Sequence, residues 1–265
     1  MLEQITPLIL TFNEAPNIER TLNQLTWAER SIVSDSFSTD ETLEILSRFS
    51  NVEVFQRPFD THANQWNYGL EKSNADWVLS LDADYIVSDA LKKELDSLSL
   101  DEIISGYFIP FQYYVLGKPL RSSILPPRQA LFRRELSSYV DDGHTQLLVG
   151  EGLSDRLTQP IIHDDRKPIN RWFSSEMKYA KLEAKKLREL PVANLTLKDK
   201  IRKQKFLSPF LILFYCLILR GGLFDGWRGL YYVSQRVLAE ILLGLTFAYE
   251  EFSFESSLSS ESSLS

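Results

Sequence analysis

Over the first hundred residues, short apolar runs alternate with stretches of helical spacing, and that alternation leaves few architectures open. ITPLILT (5–11), RSIVSD (30–35), NVEVFQR (51–57) and DWVLSLD (76–82) read as strands. APNIERTLNQL (15–25), STDETLEILSRF (38–49), NQWNYGLEKS (64–73) and SDALKKELDSL (88–98) read as helices. The first of these carries Ile18, Leu22 and Leu25 on one face, and the last opens on a Ser or Asp cap. A βαβαβαβα order implies a mainly parallel sheet covered by helices on both faces. In such sheets ligands bind beyond the carboxyl ends of the strands. Asp35 and Asp82 stand at two such ends, and Asn13 and Glu14 lie just past a third.

The stretch WVLSLDADY (77–85) sharpens this expectation, because an apolar run ends in two carboxylates one residue apart. Buried carboxylates are costly unless they are paired, hydrogen-bonded or holding a metal. If the chain stays extended to residue 84, Asp82 and Asp84 point to the same side. Two carboxylates plus phosphate oxygens suit Mg2+ or Mn2+. Such an ion would bridge a diphosphate and neutralise a leaving group.

Beyond residue 100 the pattern changes. GYFIPFQYYVLGKPL (106–120) and RQALFRR (128–134) look like antiparallel strands added to the sheet, punctuated by LGKP and LPPR. RWFSSEMKYAKLEAKKLREL (171–190) reads as a long basic helix with Met177, Ala180, Ala184 and Leu187 on one face. FLSPFLILFYCLIL (206–219) and VLAEILLGLTFAY (237–249) are apolar nearly all round, with RGGLFDGWRGLYY between them as a loop. Fourteen residues suit an interfacial or re-entrant segment better than a span; packing between helices is the alternative. The serine-rich end is expected to be disordered.

The formal net charge of −7 argues against a nucleic-acid binder. Between Asp164 and Lys205, however, thirteen Lys and Arg face six Asp and Glu. A basic block beside an apolar one points to an anionic membrane surface, although a solvated helix face would look the same. A single cysteine, Cys216, excludes an internal disulfide and makes a reducing, cytoplasmic setting the default. MLEQITPLIL lacks the basic and long apolar regions of a signal peptide, so none is expected.

Three ordered stretches, TFNE (11–14), SDSFSTDET (34–42) and LDAD (81–84), together resemble glycosyltransferase family 2, closely over residues 5–98 and more loosely to about 249. The resemblance implies an α/β GT-A fold, a nucleotide-binding mixed sheet flanked by helices. It would occupy residues 1–165, followed by a helical membrane-associating region at 166–249 and the tail at 250–265. It implies an inverting, hexosyltransferase-like enzyme that uses Mn2+ or Mg2+. The donor would be a nucleotide sugar, with a UDP-sugar favoured. The acceptor would be a polysaccharide, a lipopolysaccharide core or another lipid-linked glycan at the inner face of the cell membrane. Carried over by position, Thr11, Asn13 and Glu14 would line the nucleotide pocket, and Asp35 would contact uracil or ribose. Asp82 would lie near the ribose and sugar, with Asp84 as principal metal ligand. Asn13 and Asp40 would equally serve as helix caps. Many relatives place Arg or Lys just before the Asn-x-Gly-Leu helix, where this chain has Gln65 and Trp66.

An inverting transfer needs a base for the acceptor hydroxyl. YVDDGHTQLL (139–148) supplies Asp142 first and Asp141 second, with His144 in support. An Asp-Gly hairpin turn would explain the same letters. IIHDDRKP (161–168) brings His163, Asp164 and Asp165 from another strand end, possible groups on the acceptor side. GGLFDGWRG (221–229) resembles the loop of membrane-associated family members and reads as a docking hairpin, with Asp225 orienting it. The rival readings are a non-catalytic membrane-bound scaffold that keeps the fold, and a nucleotidyltransferase, which would usually need a Gly-rich phosphate loop. That loop and a G-x-S-x-G nucleophile motif are both missing from the sequence.

Overall fold

The computed structural model describes residues 2–99, 103–142, 145–191, 193 and 195–262. The chain divides into two compact units, Met1–Pro119 with Leu125–Lys167, and Leu120–Ile124 with Pro168–Ser265.

The first unit follows the alternation read above. Strands β1 (Ile5–Thr11), β2 (Ser31–Asp35), β3 (Val52–Gln56) and β4 (Trp77–Asp82) are joined through α1 (Ile18–Asn23), α2 (Thr42–Leu46) and α3 (His62–Glu71). Then come β5 (Tyr85–Val87), α4 (Asp89–Ser97), β6 (Ile104–Ile109), β7 (Phe111–Val115), β8 (Lys118–Pro119), β9 (Arg128–Arg133), β10 (Ser137–Asp142), β11 (Thr145–Gly150), β12 (Leu153–Arg156) and β13 (Ile161–His163). The main sheet has the order β12-β6-β9-β4-β1-β2-β3. Strands β1 to β4 are parallel neighbours, and β9 enters antiparallel between β4 and β6. A smaller sheet, β5-β13-β7-β8, lies at the carboxyl end of β4, and β10 and β11 form a hairpin.

Alternate residues of the buried strands feed two apolar layers. Ile9, Val33, Leu79, Leu81 and Leu131 pack with α1, α2 and α4 through Ile18, Leu22, Ile45, Leu91 and Leu95. Leu8, Ile32, Val78 and Phe132 pack the other way, against Trp66 and Leu70 of α3. Each such side chain contributes about 1.5–3 kcal/mol by leaving water. Gly69 sets how closely α3 lies on β1, since a Cβ there would collide with the Leu8 side chain.

Two sequence expectations shift here. The run 106–120 is not one strand: Pro110 separates β6 from β7, and the two belong to different sheets. The chain also does not stay extended through Asp84. Ala83 and Asp84 form a turn into β5, so the same-side argument for Asp82 and Asp84 does not apply.

The second unit contains α5 (Ile169–Glu189), α6 (Leu197–Arg202), α7 (Ser208–Phe214), a π-helical turn (Tyr215–Leu219), a 3-10 turn (Gly222–Asp225) and α8 (Gly226–Ser262). Ala184 and Leu187 of α5 pack on Leu243 and Phe247 of α8, while Met177 is exposed. Arg202 joins Glu183 and Glu240 across three helices. The expected loop 220–232 is shorter than read, because α8 begins at Gly226. At its start Asp225 Oδ2 accepts hydrogen bonds from the backbone N–H groups of Arg121 and Ser122, at 2.9 and 3.1 Å, and orients the loop. The helix runs on through Ser262, where composition predicts a disordered tail; extending an existing helix costs far less than nucleating one. Among the described residues no single helix is long and apolar enough to cross a membrane, though the pair Ser208–Leu219 and Gly222–Ser253, bent by 68°, has the length and composition together.

Candidate active site

The ends of β1 and β2 are bound into one polar knot. Asp35 is fully buried and accepts from Thr11 Oγ1 at 2.9 Å, Ser38 N at 2.9 Å and Gln56 Nε2 at 3.0 Å, with Ser38 Oγ as a further donor. Asn13 has φ of 56°, and its Oδ1 accepts from Thr39 N at 2.7 Å. It therefore ties the two loops together instead of capping α1. Asp40 accepts from Thr42 N at 3.0 Å, but it lies one residue before Glu41, the N-cap of α2. The resemblance assigns Thr11 and Asp35 to the nucleotide. In the structure their side chains spend their hydrogen bonds on each other and on the loops, so they shape the strand ends from inside.

Asp84 lies just past β4, nearly buried, and turns toward β13. Its Oδ2 is 3.1 Å from His163 Nε2 and 3.9 Å from Lys167 Nζ. Lys167 Nζ is also 2.9 Å from Glu14 Oε1 and 3.7 Å from Asp165 Oδ1. Pro168 disfavours helical backbone at the residue before it, so the chain from His163 stays irregular past this cluster until α5 begins. Burial works against every charge here. It is outweighed at Asp84, where His163 and Lys167 hold the carboxyl well below its usual range. It is likewise outweighed at His163 by Asp84, which raises the imidazole, and at Lys167 by Asp84, Glu14 and Asp165. At Glu14 burial wins, and the carboxyl is raised despite Lys167.

Asp164 and Asp165, read with His163 from the sequence as acceptor-side groups, spend their carboxylates on neighbouring side chains. Asp164 is 2% exposed and is held by Arg20 Nη1 at 3.1 Å and Arg166 Nη2 at 2.8 Å, with Gly117 N at 3.3 Å. Asp165 Oδ1 accepts from Asn17 Nδ2 and Lys167 N, each at 2.9 Å. Both carboxylates anchor the 163–168 segment to α1.

Asp82 faces a different space from Asp84. It lines a cavity of about 310 Å3 with Trp66, Tyr85, Arg128, Tyr139 and Asp142. Arg128 Nη1 is 3.7 Å from Asp82 Oδ2 and 3.3 Å from the Tyr85 hydroxyl. Trp66 stacks on Tyr139 with ring centroids 5.3 Å apart. The hairpin β10–β11, expected as the bland reading of DDG, pairs Asp142 with Thr145 and delivers Asp142 to this cavity. Asp141 points elsewhere, its Oδ1 accepting from Ala63 N at 3.4 Å near the start of α3. His144 lies outside the described residues. Gln65 is buried, its Nε2 donating to Ser34 Oγ at 3.0 Å and its Oε1 accepting from Arg57 Nη1 at 3.2 Å.

The residues at Asp84 fit a divalent ion. Asp84 Oδ1 is buried without a hydrogen-bond partner, a hard oxygen such an ion takes, whereas His163 meets Asp84 through Nε2 with its unpartnered Nδ1 across the ring, so the imidazole becomes a donor only by giving up that bond. Among the described residues no three acidic, His or Cys side chains converge into a ready-made cage. Sequence reading missed Lys167 and Arg128. In the sequence Lys167 is one of the basic block and Arg128 opens a strand. Only the closing of residue 167 onto residues 14 and 84 reveals the first.

Known proteins resemble the part of the chain that carries the ends of β1, β2 and β4. An uncharacterized glycosyltransferase of Rickettsia bellii is 34% identical over 95 residues, 36% of this chain and 32% of that protein. Glycosyltransferase SunS of Bacillus phage SPbeta is 29% identical over 116 residues, 39% of this chain and 27% of its own. The match thus spans about a third of the length of these curated relatives. Among solved structures, the mannosyltransferase PcManGT from Pyrobaculum calidifontis, in complex with GDP-Man and Mn2+, superposes with a TM-score of 0.53 at 15% identity, over 93% of this chain and 87% of that one. The family profile described as Glycosyl transferase family 2 matches residues 8–146, more than half of the chain and all the strand ends that bear Thr11, Asp35, Asp82 and Asp142. With the mixed sheet and those carboxylates in place, this chain belongs to glycosyl transferase family 2 and has its GT-A fold.

Proposed function

We propose that the chain is an inverting glycosyltransferase that moves a sugar from a nucleoside-diphosphate donor to a glycan or lipid-linked acceptor. The observation that carries this reading is the division of LDAD: Asp84 meets His163 and Lys167, while Asp82 opens onto the cavity that Asp142 shares. Asp84 and His163 would hold a divalent ion, which when bound supplies charge to neutralise the departing diphosphate. Mg2+ prefers an all-oxygen octahedron, so the imidazole favours Mn2+. Asp142 takes the proton of the acceptor hydroxyl as that oxygen bonds to the anomeric carbon. The bond from that carbon to the phosphate oxygen breaks on the opposite side, and its electron pair leaves with the nucleoside diphosphate. The buried, mutually stacked Trp66 and Tyr139 form an apolar floor of that cavity, and Arg128 fixes the Asp82 carboxylate beside it.

The second unit supports a place for this reaction at the cytoplasmic face of a membrane, with lipid-linked or lipopolysaccharide-core glycans as acceptors. Phe210, Leu219, Phe224 and Trp227 are more than half exposed, and the basic residues of α5 precede them. The test of the donor site is calorimetric titration of UDP, then GDP, with and without Mn2+, on the protein and on Asp84→Ala. Mn2+-dependent binding that disappears in the variant supports the reading, as does release of nucleoside diphosphate on adding sugar donor and acceptor. Failure of every nucleotide to bind, or release of pyrophosphate instead, overturns it.

A further inference from the structure

The β10–β11 hairpin packs one of its faces and leaves the other apolar. On the packed face Tyr139 is buried, its ring 5.3 Å from Trp66 and 5.9 Å from Phe132, and Leu148 rests on the same cluster. Asn67 of α3 ties this strand down, accepting from Tyr139 N at 2.8 Å and donating to Tyr139 O at 2.9 Å. Successive residues of a strand point to opposite faces, so Val140 and Asp142 look away from that cluster. Leu147 stands directly opposite Val140, and Val149 opposite Ser138, which places all of them on this second face. When one face of an antiparallel pair is packed, the other is ordinarily polar. Here Val140, Leu147 and Val149 are 43%, 55% and 37% exposed, and Leu136 at the foot of β10 is exposed as well.

We infer that this outer face of the hairpin carries the apolar group of the acceptor, and that the acceptor places a single sugar ring between that group and its reacting hydroxyl. The inference rests on the transferase reading above and names the acceptor class for it. The ladder is continuous with the cavity: Asp142 and Leu147 belong both to this face and to the cavity lining. A molecule whose hydroxyl reaches Asp142 therefore meets Leu147 and Val140 where it leaves the cavity. A strand rises about 3.4 Å per residue, so Val140 lies about 7 Å from Asp142 along β10, a gap that one sugar ring spans. The ladder is two strands wide, about 5 Å between strand axes, which matches an alkyl or prenyl chain lying along it. Its apolar area is on the order of a few hundred Å2, whereas a stable complex buries about 800 Å2 on each partner, so this face alone does not hold a second copy.

The experiment compares matched methyl and hexyl glycosides of glucose, galactose, mannose and N-acetylglucosamine on the full chain, below the micelle concentration of the hexyl compounds. Release of nucleoside diphosphate is measured with the donor that binds. A hexyl chain has five more methylenes than a methyl group, and burying two of them at roughly fourfold each lowers KM at least tenfold in wild type. In the double variant Val140→Thr with Val149→Thr, which keeps branched strand-forming side chains, that ratio falls below threefold, while kcat for the methyl glycoside stays within twofold. Equal KM for the two glycosides overturns the inference. So does an undiminished ratio in the folded variant, and loss of vesicle binding or of self-association in that variant then gives the face to a membrane or to a second copy. Should the double variant fail to fold, Val149→Thr alone takes its place. In parallel, methyl-labelled protein is titrated with the same glycosides and followed by NMR. The hexyl compound moves the Val140, Leu147 and Val149 methyl signals, and the methyl compound does not. If no nucleotide binds, the transferase reading fails. The methyl signals still decide the surface then, as they do if none of the four sugars is an acceptor: no movement, or movement spread over exposed methyl groups across the chain, overturns the inference.

Discussion

Asp164→Asn separates a structural carboxylate from an acceptor-side one. The substitution keeps the shape of the side chain and removes its charge. In the protein that charge is 3.1 Å from Arg20 and 2.8 Å from Arg166, with the carboxylate almost fully buried. Breaking a buried pair by removing one partner costs about 3–5 kcal/mol, because the remaining charge is stranded. Here two guanidiniums are stranded against each other, but their side chains are 25% and 40% exposed and water recovers part of the loss. An expected cost of about 2–3 kcal/mol follows from that discount. For a unit of this size it lowers the melting temperature by roughly 5–10 °C.

The assay is urea denaturation of wild type and Asp164→Asn, with the slope unchanged and the midpoint moved. Nucleotide affinity of the folded variant stays within about twofold of wild type on the same structural argument, since Arg20, Arg166 and Gly117 N hold the carboxylate in place. A loss below about 0.5 kcal/mol, the range of ordinary surface changes, refutes the reasoning. So does an unchanged stability combined with lost transfer, which would return Asp164 to the acceptor.

Three further outcomes follow. Asp142→Asn lowers the transfer rate by about 10²–10⁴-fold with donor affinity kept, whereas Asp141→Asn leaves the rate within about twofold; steady-state kinetics on both variants checks the pair. In metal-free protein with chelator, the His163 contribution to stability is complete below its ordinary value of 6.5, because Asp84 raises the folded imidazole above it, and it is lost as pH rises through that raised value. His163→Gln flattens this dependence in chemical-denaturation curves taken from pH 5.5 upward, on the order of one titrating group. Replacing Phe224 and Trp227 together by Ser reduces sedimentation with anionic vesicles by at least about tenfold while leaving the helical circular dichroism unchanged, since each exposed ring offers about 1.5–3 kcal/mol of burial at most.

What the sequence disclosed and what it hid have different physical origins. The parallel strands were legible because burial on both faces forces continuous apolar runs, and β1, β2 and β4 show it in nearly every position. Helix ends were less legible. The expected 15–25 narrows to Ile18–Asn23, since Asn17 N bonds Glu14 O and Leu25 N bonds Leu22 O in turns at either side. The strand-period argument at LDAD failed at one residue. It assumes extended backbone, and the turn at Ala83–Asp84 sends the second carboxylate to β13. That failure is the more informative result. A strict strand would have put both aspartates on one side, facing one ion together. The turn instead sends Asp82 to the cavity it shares with Arg128 and Asp142, and Asp84 to the imidazole and ammonium. No local pattern could reveal this, because the groups that define the division, His163, Lys167 and Arg128, come from segments more than forty residues away.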